Sequence, residues 1–154
     1  MELFLLSNGK LADDAPLLGY AQPQLHAMTA RRAIRSAVLI PYAIIRGDQQ
    51  QRAAELSASL GIQVERVQAF ASPAEAIAQA ELILVSGGNT WFLNQMLHEQ
   101  GLIGAIQRGA GAAGTLCRLE RRLQRGDALN PYHERYAGAQ QRGAACAGTL
   151  SGAD

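Results

Sequence analysis

Residues 81–90 read Glu-Leu-Ile-Leu-Val-Ser-Gly-Gly-Asn-Thr, or ELILVSGGNT. The run Leu82–Val85 is apolar at every position. It reads as a strand. Ser86 to Thr90 follow without a spacer, and Phe92, Leu93, Met96 and Leu97 then recur at the spacing of one helical face that ends at Gly101. A strand, a glycine-rich turn and a helix make one β–α unit.

Working outward, the same alternation repeats. Glu2–Leu6 is a short apolar run closed by the turn Ser7-Asn8-Gly9, a first strand. Leu25–Arg35 reads as a helix with Arg31, Arg32 and Arg35 near its end. Ala37–Ile40 is a second strand, stopped by Pro41. Asp48 is placed to cap a helix running to Leu60, with Gly61 beyond its end. Ile62–Val67 alternates as a third strand. Ser72-Pro73-Ala74-Glu75 has the form of a capping box with proline at the first helical position. Strands alternating with helices imply an α/β, doubly wound parallel sheet. Ligands of such sheets bind at the carboxyl ends of the strands. The segments 7–9, 41–46 and 86–90 are therefore expected to share one edge.

In residues 86–90, adjacent glycines let the backbone approach a ligand, and the helix that follows presents free N–H groups. Gly87, Gly88, Asn89 and Thr90 are the candidate binding residues, with donors suited to a phosphate or an oxyanion. The plainer alternative is a tight turn capped by Asn89 or Thr90. His26, His98 and His133 show no metal spacing and read as surface residues, and Asp13-Asp14 reads as a solvated loop. No metal site and no cofactor are expected. Cys117 has an arginine beside it, which could lower its pKa, but no partner base.

The chain has 154 residues, 48% hydrophobic and 18% charged, with a formal net charge of +1. This is enough for one domain with a core and gives no global field favouring nucleic acid or a membrane surface. No apolar run approaches a membrane span, and MELFLL lacks the form of a signal peptide. Cys117 and Cys146 make no disulfide framework. A cytoplasmic protein is expected.

Composition breaks partway along. Every Val, Ile, Phe, Met and Trp lies at or before Ile106, while the last 48 residues hold eight of the 16 glycines and a thickening of arginine. The tail is therefore expected to supply no normal buried strand, to be poorly packed beyond about residue 109, and to leave a sheet edge uncovered that invites self-association. Arg118, Arg121, Arg122 and Arg125 could line a phosphate-binding helix face opposite Leu116, Leu119 and Leu123; a solvated turn is the preferred reading, since no aromatic residues interleave.

MELFLLSN, VLIPYA and ELILVSGGNTWFL, in that order and spacing, resemble peptidase E, the aspartyl dipeptidase family of serine peptidases, over residues 1–106. The resemblance implies a cytoplasmic α/β enzyme similar in fold to class I glutamine amidotransferases, acting on dipeptides with an N-terminal aspartate. It makes Gly88 the oxyanion-hole candidate. It also places the family's nucleophile, in a G-W-S-A-G-x-N elbow, at position 120, where this chain has Glu120; the family's histidine and acid lie later than residue 154. Arg118–Arg122 can be encoded CGG-CTG-GAG-CGC-CGG. Read one base later, those codons give Gly-Trp-Ser-Ala-Gly. Codons for Asn130–Gly138 shifted likewise permit Thr-Thr-Asn-Asp-Met-Pro, which resembles a second family motif. Residues 107–154 are thus expected to be an out-of-frame tail on a truncated family domain at 1–106, with the shift between Gln107 and Leu116. The expected outcome is an inactive chain; a non-catalytic binding module for a small anion or an acidic partner is the alternative.

Overall fold

The computed structural model describes residues 2–6, 9–12, 14–112 and 115–119. Five parallel strands form one sheet in the order β1-β5-β4-β2-β3. They are β1 Glu2–Leu6, β2 Ser36–Ile40, β3 Gln63–Arg66, β4 Leu82–Val85 and β5 Thr115–Leu119. The helices are α1 Gln22–Arg31, α2 Gln49–Leu60, α3 Pro73–Ala78, α4 Thr90–Glu99 and α5 Ile103–Ala112.

All four residues of β4 are buried, as a strand lying between two others with both faces covered must be. On one face Leu39, Leu82, Leu84, Cys117 and Leu119 meet Leu25 and Met28 of α1 and Leu56 and Leu60 of α2. On the other, Val38, Ile40, Ile83 and Val85 meet Ile77 of α3, Leu93 of α4 and Leu102 and Ala105 at α5. The chain is therefore an α/β protein with helices on both sides of a parallel sheet, as its alternation of elements implied.

Local signals set several boundaries. The Asp48 carboxylate accepts from the amides of Gln50 at 2.7 Å and Gln51 at 3.2 Å, and Gly61 closes α2 in the left-handed region at φ 67°. Glu81 joins two strands: one carboxylate oxygen accepts from the amides of Arg35 at 2.8 Å and Ser36 at 3.0 Å, just where β2 begins. Those backbone donors, Arg35 first, hold its pKa below the usual carboxylate value.

The structure departs from the sequence reading at three places. The expectation that the tail supplies no buried strand is wrong for residues 115–119. β5 is an interior strand paired with both β1 and β4, and Thr115, Cys117 and Leu119 are buried. A strand needs apolar surface and a backbone paired on both edges; Thr115, Leu116, Cys117 and Leu119 supply the apolar surface without valine or isoleucine. Gly109 also has a packing role, since a Cβ there would lie 2.4 Å from the Ile77 carbonyl oxygen. The α5 backbone rests directly on α3 at that point.

The second departure is at Ser72. It is the N-cap of α3, but its side chain accepts no capping bond; the helix starts from Pro73, whose φ is already fixed, and from the Ala76 amide bonding to the Ser72 carbonyl at 3.0 Å. Third, α1 begins and ends earlier than 25–35, because Pro23 sits in its first turn and Ala33 turns left-handed at φ 52°. The helix face expected from Arg118, Leu116 and Leu119 is overturned, since these residues lie in the strand β5; Arg121, Arg122, Leu123 and Arg125 fall outside the described residues.

Candidate active site

The carboxyl ends of β2 and β4 are adjacent, and their loops are bonded to each other. The Ser86 amide donates to the Ile40 carbonyl at 3.0 Å, and the Asn89 amide to the Ala43 carbonyl at 2.9 Å. Between these anchors Gly88 takes φ 142°, and a Cβ on it would lie 2.2 Å from the Ala43 oxygen. Only glycine fits there. The expected meeting of 41–46 and 86–90 on one edge holds; Ser7 and Asn8 lie outside the described residues.

The four candidate residues have different duties. The Asn89 side chain caps α4, its Oδ1 accepting from the Phe92 amide at 2.9 Å, so for that side chain the plainer reading is right. Thr90 is the exposed first residue of the helix. Among the described residues, Gly87 and Gly88 donate their amides to no partner, and Gly88 is exposed. The loop thus offers unpaired backbone N–H groups at the positive end of α4, an arrangement that stabilises an anion or a developing oxyanion.

Ser86 opens the candidate segment 86–90 but was given no role of its own. Its residue is 4% exposed and its hydroxyl has no partner among the described residues. It stands one residue beyond the Val85–Arg118 pair that joins β4 to β5, so an orphaned buried hydroxyl lies beside the end of β5, directly before position 120. Buried hydroxyls are normally satisfied. Tyr42, in the neighbouring loop, is also buried, and burial pushes its phenol pKa up.

The remaining candidates are not brought to this edge. Cys117 is fully buried among the residues facing α1 and α2, and burial pushes its thiol up to about 12. The lowering expected from a neighbouring arginine is therefore reversed: desolvation disfavours the thiolate. His26 lies on α1, its Nε2 2.9 Å from the Ser59 carbonyl, and exposed His98 lies in the last turn of α4. Asp14 is exposed. Asp13, Glu120, His133 and Cys146 fall outside the described residues. Among the described residues no three His, Cys, Asp or Glu side chains gather as a metal site, and no helix is long and apolar enough to cross a membrane. Two open clefts, of about 500 and 470 Å³, are lined by residues such as His26 and Arg35 or Phe70 and Glu75, not by the glycine loop.

The model of Peptidase family S51 matches residues 3–117. The chain belongs to this family. It is 38% identical over 120 residues to a Peptidase E of Citrobacter koseri, covering 71% of this chain and 50% of that protein. It is 39% identical over 117 residues to a Peptidase E of Salmonella arizonae, with the same coverage. The chain spans about half the length of the curated relatives it matches. In fold it is similar to a peptidase from an acI-B1 Actinobacterium, with a TM-score of 0.55 and 20% identity over 76% of this chain and 52% of that one. It is also similar to a putative Peptidase E protein of Listeria monocytogenes EGD-e, with a TM-score of 0.53 and 22% identity over 77% and 57%. The S51 match passes residue 106 and ends inside β5.

Proposed function

We propose that this chain derives from a cytoplasmic serine-type S51 dipeptidase acting on peptides with an N-terminal aspartate, and that as written it does not hydrolyse them. The observation that supports the first half is the Gly87–Gly88 turn, with unpaired amides at the start of α4, held by Ala43 in a chain of this family. In an active relative a serine would attack the peptide carbonyl, a histidine would move the proton, and the Gly88 amide would donate to the carbonyl oxygen as it gains charge.

The second half rests on the sequence at position 120. Glu120 stands where the resemblance calls for serine, and the codons of the tail can be read, one base later, as the missing motif. The S51 match runs to residue 117, which supports reading the departure from the family near the carboxyl end of the interval 107–116. The residues around Glu120 do not spell the G-W-S-A-G-x-N elbow that aims the family's nucleophile. The tail, residues 107–154, is read as out-of-frame; the edge beside β4 that the tail was expected to leave uncovered is filled by β5.

A second reading is favoured by the same unpaired amides. They need no nucleophile to hold a carboxylate, so the chain is also read as able to bind an aspartyl dipeptide without cleaving it. Calorimetric titration with an aspartyl dipeptide, followed by chromatography of the mixture, tests both readings. Heat of binding with intact dipeptide supports binding without turnover. Free aspartate would overturn the proposed inactivity, and absence of heat the binding.

A further inference from the structure

Among the described residues β1 is an outermost strand of the sheet, and its two faces differ. Phe4 and Leu6 pack against the core beneath α1 and α2. Leu3 and Leu5 point to the opposite face, where they are 47% and 68% exposed. Leu3 is in register with Leu116 of β5, so the two leucines extend the apolar surface under α3–α5 past the last helix that covers it.

Proteins usually guard such an edge with proline, a bulge or an unpaired charge. Glu2–Leu6 contains no proline and no lysine. Its one charge, the Glu2 carboxylate, is bonded to Arg31 and lies 3.6 Å from Arg32 Nη1. That charge is neutralised within the chain and turned away from the leucine face.

We propose that two copies of this chain pair antiparallel through β1, across a two-fold axis at Phe4. This register pairs all five residues of the strand. Leu3 of each copy then lies opposite Leu5 of the other, at the ~5 Å Cβ spacing of cross-strand neighbours, and four leucines close into one apolar patch across the axis. The surface is self-complementary, as a two-fold interface must be. A pair of five-residue strands buries less than the ~1,600 Å² of a standard interface, so the dimer is weak and reversible. This rests on the outer edge of β1 and not on the dipeptidase reading: mass tests the one, hydrolysis the other.

The test is sedimentation equilibrium of the full chain over about 1 µM to 1 mM, the range in which a weak dimer dissociates. The expected mass rises from 16.4 kDa toward twice that value. Leu5→Lys and, separately, Leu3→Lys weaken dimerisation about tenfold or more, since each sets charges on the apolar patch. Leu11→Lys, at a leucine 71% exposed elsewhere, leaves it unchanged. In a Cys146→Ser background, a Leu3→Cys chain and a Leu5→Cys chain cross-link with each other faster than either does with itself; these mild changes keep the register testable if a lysine variant misfolds. A chain that stays monomeric to the highest concentration overturns the proposal. So does association indifferent to Leu3 and Leu5, or faster self-cross-linking.

Discussion

The Ala43 carbonyl accepts the Asn89 amide at 2.9 Å and would lie 2.2 Å from a Cβ on Gly88. One oxygen therefore ties the β4 loop to the β2 loop and forbids a side chain between them. Gly88→Ala is expected to destabilise the fold by about 2–4 kcal/mol, from a strained φ plus a backbone clash. Gly101→Ala, also at positive φ but with nothing within 4 Å, is expected to cost about 1 kcal/mol. Urea unfolding of the two variants checks the ratio; equal losses would mean that the Ala43 contact is absent.

Glu81 makes the start of β2 sensitive to acid. Its folded pKa is lowered, so its contribution is present above the unfolded value and is lost as pH falls through the folded one. The group is exposed and the effect correspondingly screened. Glu81→Gln is expected to cost about 0.5–1 kcal/mol at neutral pH and to flatten the decline in stability below the ordinary carboxylate range. Unfolding midpoints of both chains at neutral and acid pH measure this.

Cys117 is expected to resist thiol reagents while the chain is folded. Its pKa is raised from 9.0 to about 12 by burial, so the protonated form is favoured in the fold. That contribution is full below the unfolded pKa and is lost as pH rises from about 9 toward 12. Mass-spectrometric mapping after brief alkylation at neutral pH should find Cys117 unmodified in the folded chain and modified in urea.

Much of the fold could be read from the sequence because its signals are local. Ala37–Ile40 announces a buried strand by having no polar position, and Asp48 and Gly61 bracket α2 by their caps. The Gly87–Gly88 turn was legible as a site for the same reason. β5 was not, because its strand character comes from the slot between β1 and β4 rather than from its own residues; Thr115-Leu116-Cys117 is apolar enough once both neighbours exist. The Ala43 contact and the orphaned Ser86 hydroxyl are products of tertiary placement and left no pattern along the chain.

β5 is therefore expected to be protected. Amides of Leu116–Leu119 should exchange about as slowly as those of β4, since both strands are interior. Fast exchange across Leu116–Leu119 with slow exchange in β4 would show that the strand is not held.

The central claim is that this chain keeps the oxyanion side of an S51 site and lacks its nucleophile, and hydrolysis of a chromogenic aspartyl substrate tests it most directly. Three proteins are compared: the 154-residue chain, its Glu120→Ser variant, and a full-length counterpart with the reading frame restored ahead of position 120. The first two are expected at background, because one hydroxyl without its elbow and base does not make a nucleophile. The third is expected to exceed them by on the order of a millionfold, the usual loss when a serine hydrolase's nucleophile or base is removed. Turnover by the 154-residue chain at a rate comparable with the restored protein would contradict the account.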